Sequence, residues 1–144
     1  MTTTQAINKV CKHLKQLGIE VNLNSNTYCF DRDESTIYCA YNSDAIITLC
    51  SLLHEAGHAL QSSSTFELLR SSSYRDKAII AEQEYTAWKE GWALAQQLNL
   101  NCSHIELTYK KIWMKCWMQY ITNLSHSDRQ YTKDLVYSYI ESRV

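Results

Sequence analysis

The sequence predicts an α+β domain, with a small antiparallel sheet near the N-terminus and a mostly helical C-terminal half. Three observations carry that expectation. The chain has no proline and only three glycines, so helices can run long between short connections. Apolar residues recur at helical spacing over most of its length. Between residues 19 and 41 the pattern changes to short runs rich in β-branched and aromatic residues, separated by polar clusters. At 144 residues, the chain reads as one domain, 1–144, with enough length to close a core and no internal repeat or linker.

The elements follow in order. Residues 4–17 place Ala6, Ile7, Val10, Cys11, Leu14 and Leu17 on one helical face, and Gly18 is a natural stop. "GIEVNL", "TYCFD" and "TIYCAY" predict three short strands, with "NSN" and "RDES" between them. "NSD" at 42–44 offers caps for a helix over 45–61. The serine-rich stretch from Gln61 to Lys77 reads as a connector with one helical turn at "FELL"; its serine runs at 62–64 and 71–73 read as exposed linker before mobile lid. A long helix follows over 77–98. "NLNCSHIE" ends it, and Ser103 with Glu106 forms a capping box for a helix over 104–123. "SHSD" caps a last helix that runs to the C-terminus.

Composition excludes several classes. The chain is 45% hydrophobic and 20% charged, as a globular domain should be. Its net charge of −1 argues against nucleic acid, and Lys110, Lys111 and Lys115 read as a solvated helix face. The N-terminus carries Lys9, Lys12 and Lys15 inside its apolar pattern, unlike a signal peptide, and no stretch approaches the roughly 20 apolar residues of a membrane span. A cytoplasmic protein is expected. The six cysteines show no C-x-x-C pair and fit buried small hydrophobes in a reducing compartment; a Cys29–Cys39 bridge across a hairpin stays open. Trp88, Trp92, Trp113 and Trp117 sit at helical spacings and read as core.

The chemistry lies in "HEAGH", residues 54–58. On a helix, residues four apart share a face, so two imidazoles can reach one Zn²⁺ at about 2.0–2.1 Å. Glu55 stands about 100° around the helix, close enough to take a proton from a water that zinc has acidified. With five histidines and nine glutamates, chance yields H-E-x-x-H in roughly one such chain per hundred. The bland alternative is two histidines on a half-buried helix, with Glu55 in solvent. Gly57 argues for the site, because a glycine inside a helix costs about 1 kcal/mol against alanine and invites a packing or functional reason.

Zinc needs a third protein ligand if one position is to remain for water. Glu67, Glu82, Glu84, Glu90, His104 and the cysteines are the candidates. In the 77–98 helix, Ile80, Ala81, Ala87, Trp88, Gly91 and Ala95 form the apolar stripe, and Glu84 lies in its middle. Glu82 points about 200° away, on the side of Tyr85 and Lys89, and Glu90 about 240° away. A carboxylate in an apolar stripe needs a cation, either a metal or an arginine.

These motifs, HEAGH on one helix and "EYTAW" (84–88) on a second, resemble the gluzincin arrangement of zinc peptidases. The order of helix, small sheet, HExxH helix and glutamate helix is most similar to the ImmA/IrrE-like metallopeptidases, common in bacteria, mobile elements and phages. The resemblance covers about residues 19–98. It implies a zincin-like fold with the sheet packed on the HExxH helix, zinc held by His54, His58 and Glu84, and Glu55 as the catalytic base. The implied activity is endopeptidase cleavage of a peptide or protein substrate. Family members often carry Asn or Asp four residues after the ligand glutamate, where this chain has Trp88. An oxyanion stabiliser of the gluzincin kind would come from Tyr85, His104 or Tyr109. Two rival readings are a zinc-containing binding protein without turnover that captures a host or regulatory protein, and a metal-free helical interaction domain. Because "TIYCAY" ends just before the HExxH helix, it is also expected to form a sheet edge onto which an extended peptide could add.

Overall fold

The computed structural model describes residues 1–61 and 74–123, with the helical backbone alone for 74–79 and 120–123. Expectations for Glu67, the "FELL" turn, the serine runs and the last helix fall outside the described residues. The described chain is α+β, with four helices and a three-stranded sheet: α1 Thr3–Gln16, β1 Glu20–Asn22, β2 Asn24–Asp31, β3 Thr36–Ala40, α2 Ala45–Leu60, α3 Tyr74–Gln97 and α4 Ile105–Asn123.

Helix α1 opens with a capping box in which Thr2 and Gln5 satisfy each other's backbone N–H, and it buries Ala6, Ile7, Val10 and Leu14. Gly18, at φ +80°, ends it as expected, with the N–H groups of Gly18 and Ile19 donating back to Lys15 and Leu14.

The sheet differs from the expected antiparallel one. Its order is β1-β3-β2; β1 runs parallel to β3, with Val21 opposite Ile37, and β2 runs antiparallel to β3, with Phe30 opposite Ile37. The cause lies at Asn22, whose Oδ1 accepts from the N–H of Asn24. This Asx turn reverses the chain two residues before "NSN", which becomes part of β2, and β3 then inserts between the two arms. Strand β3 is therefore interior, and the idea that it offers its edge to a peptide is overturned. Cys29 lies opposite Tyr38, not Cys39. Cys29 is exposed, Cys39 is fully buried, and both are free thiols, so they do not form a bridge.

Helix α2 is the hub. Asp44 caps it by accepting from Ile46 N–H, and Thr48, fully buried, accepts from Asn42 N–H at 2.8 Å. Leu49, Cys50, Leu52, Leu53 and Ala56 are fully buried, with α1, the sheet, α3 and α4 all packed against this one helix. Helix α4 starts at Ile105 rather than being capped by Ser103: His104 stands before it at φ +63°, and Glu106 pairs with Lys110 at 2.9 Å. Trp88, Trp113 and Trp117 are buried as expected, while Trp92 is half-buried. No described helix is long and apolar enough to cross a membrane.

Candidate metal centre

Helices α2 and α3 approach each other unusually closely, and two glycines allow it. A Cβ on Gly57 would run into the carbonyl oxygen of Ala87, and one on Gly91 into the carbonyl oxygen of Leu53. Pairing 57 with 87 and 53 with 91 sets the helices antiparallel, each glycine giving way to the other's backbone. That register puts Glu84 beside His58 and Trp88 beside His54.

The three predicted ligands meet there. Glu84 Oε2 lies 3.0 Å from His54 Nε2 and 3.1 Å from His58 Nε2, and the two nitrogens are 3.2 Å apart. Tetrahedral ligands at about 2.0–2.1 Å from a zinc ion stand about 3.3 Å from one another, so this triangle has the size of one face of such a site. The group could hold a metal ion, and it is the one cluster of metal-ligating side chains with that geometry among the described residues. The other candidates are elsewhere. Glu82 is exposed, Glu90 is outside the cluster, and no described cysteine joins it. His104 lines a groove with Trp92, Asn99 and Lys110, at the far end of α3.

The electrostatics fit a cation site. Burial opposes the charge on Glu84, yet hydrogen bonds and positive charge from His54 and His58 outweigh it and hold the carboxyl down to about 2. Burial lowers His54, whereas Glu84 raises His58 despite burial. Glu55 is a different case. It is only 6% exposed, and burial pushes its carboxyl up to about 7, against the pull of His58 and with Glu84 adding to the rise. Glu55 is thus not in solvent, as the bland alternative required. Cys39 also feels its charge, and the thiol is pushed up to about 12, mainly by burial.

Several contacts around the site have no sequence signature. Gln61 Nε2 lies 3.4 Å from His58 Nδ1 and donates to the Gln83 carbonyl at 3.1 Å, tying the end of α2 to α3. Arg32, just past β2, donates to the carbonyls of His58 and Gln61 at 3.3 and 3.1 Å and caps the same helix end. Trp88 stacks on His54, with ring centroids 4.1 Å apart and planes at 24°. Two of the oxyanion candidates, Tyr85 and Tyr109, are buried. The Tyr109 hydroxyl is buried and donates to the Trp88 carbonyl at 2.6 Å, and the Tyr85 ring packs on Trp113 and Trp117. Tyr85 was expected on the polar side of its helix; it is buried because α4 covers that side.

Comparison of the chain with protein-family models, with curated proteins and with solved structures found no match, and the site stands on its own geometry.

Proposed function

We propose that the chain is a zinc-dependent endopeptidase that hydrolyses a peptide bond of a protein substrate. The observation that carries this reading is the convergence of His54 Nε2, His58 Nε2 and Glu84 Oε2 at 3.0–3.2 Å, with Glu55 next along the same helix. Two neutral imidazoles and one carboxylate suit zinc and leave a net positive centre. When bound, zinc supplies a Lewis acid that polarises a carbonyl and acidifies a water.

The chain's own residues do the rest. His54, His58 and Glu84 hold the cation, and Glu84 cancels one of its two charges. Glu55 takes a proton from the attacking water and delivers it to the departing amine nitrogen. Without metal, burial pushes the Glu55 carboxyl up to about 7, and a bound cation would draw it back toward the ionised form that accepts the proton.

The experiment is elemental analysis of the purified chain, paired with cleavage of a peptide library by wild type and Glu55→Gln. The expected result is zinc near one per chain in both, and a loss of cleavage by about two orders of magnitude or more in the variant. A zinc-loaded wild type that cleaves nothing points to the binding protein without turnover, and a chain without metal removes both readings.

A further inference from the structure

A histidine that binds metal through Nε2 must be held in one ring plane, and the usual device is an acceptor for its Nδ1–H. His58 Nδ1 lies 3.4 Å from the Gln61 side-chain nitrogen, which can donate to it but cannot accept. His54 lacks even that contact: its Nδ1 is buried and has no hydrogen-bond partner among the described residues. Something else must fix the His54 ring, which turns about two bonds.

We infer that Trp88 is a positioning residue that sets the His54 ring plane by face-to-face stacking, in place of a hydrogen bond at Nδ1. The indole lies nearly parallel to the imidazole, with centroids 4.1 Å apart, while His58 meets the same imidazole edge-on at 4.6 Å and 74°. One neighbour fixes the plane and the other blocks rotation within it, which leaves Nε2 aimed at Glu84 Oε2. The indole is itself braced. Tyr109 packs edge-on against it at 5.1 Å and donates its hydroxyl to the Trp88 carbonyl. That hydroxyl reaches α3 because Gly91 has no side chain, since a Cβ there would stand 2.5 Å from the Tyr109 oxygen. Tyr109, Trp88 and His54 thus form one aromatic column from α4 through α3 to α2. The stack also shuts water away from one face of the imidazole.

The inference rests on the metal-site reading, and its test separates the two. Trp88→Phe keeps a flat face; Trp88→Leu fills space without one. In metal-free protein, the His54 ring protons should be shifted upfield by the indole, and in Trp88→Leu that shift should vanish. In a titration with zinc alone, Trp88→Phe should bind within about threefold of wild type, and Trp88→Leu about 10–100-fold more weakly, the size usual for groups that orient a ligand. Both variants should keep a cooperative melt, which separates a packing loss from an orienting one. Equal affinity in Trp88→Leu and Trp88→Phe overturns the role of the stack and leaves the metal site standing. An unshifted His54 ring in wild type shows that there is no stack, whatever the metal does. A wild type with the shift but no zinc affinity overturns the metal reading, and the orienting role with it.

Discussion

Glu84 places a charge on a helix face whose neighbours are Ala81, Ala87, Trp88 and Gly91, all buried. A carboxylate there without a cation would be expensive; the two imidazoles offset part of that cost, and the proposed metal would offset the rest. Glu84→Gln should therefore weaken zinc binding by more than the 10–100-fold typical of groups that only orient a ligand. Glu82→Gln and Glu90→Gln should leave zinc affinity unchanged and cost about 0.5 kcal/mol or less in stability. Zinc titration of the three variants checks this, and normal affinity in Glu84→Gln would remove it from the ligand set. Glu84 was legible in the sequence because helical phase alone singled it out from Glu82 and Glu90. Tyr85 was not, because the same argument assumed one buried stripe. Helix α3 is buried on two sides, by α2 and by α4, so a residue off the first stripe falls on the second. Arg32 and Gln61 left no signal, since each bonds to carbonyls distant in sequence.

At the scale of elements, the α2–α3 crossing decides whether a site exists. Each glycine costs helix propensity of about 1 kcal/mol, and both are kept where the partner's backbone occupies the space of a side chain. Gly57→Ala should gain that propensity and still lose overall, because the added methyl meets the Ala87 peptide and forces the helices apart. Overpacking of this kind costs about 1–3 kcal/mol. Since Glu84 lies one turn from Ala87, the same displacement should draw its carboxylate away from His58. The variant should melt several degrees lower and bind zinc more weakly. A Gly57→Ala protein as stable as wild type, with full affinity, would mean that the crossing is looser than the structure has it. The sequence announced Gly57 only as an anomaly, because its reason lies on another helix. The sheet order was hidden for a related reason. The presence of three short strands was readable, but "NSN" lies inside β2 rather than between strands, and one Asx turn at Asn22 determines whether β3 lies outside or between its neighbours. That choice involves pairing between segments rather than any local pattern.

Across the whole molecule, α2 serves both as core and as one wall of the candidate metal site. One side buries Leu49, Leu52 and Leu53 completely; the other presents His54 and His58, still partly open to solvent, to α3. The cation would sit between these two helices, where Gln61 already ties the end of α2 to the Gln83 carbonyl. Binding to the folded chain and not to the unfolded one adds to stability by mass action, about 4 kcal/mol when free metal stands a thousandfold above its dissociation constant. For a domain of this length, about 3 °C of melting temperature corresponds to each kcal/mol. Removing metal with a chelator should therefore lower the melting temperature by several degrees, and added zinc should restore it. The effect should shrink sharply in Glu84→Gln, which should keep the fold and lose the proposed third ligand. Magnesium should not substitute, because it prefers six oxygen ligands to a pair of imidazoles. A melting curve indifferent to chelator would show that His54, His58 and Glu84 are held together by hydrogen bonds and charge alone, which the 3.0 and 3.1 Å contacts between them would then have to sustain.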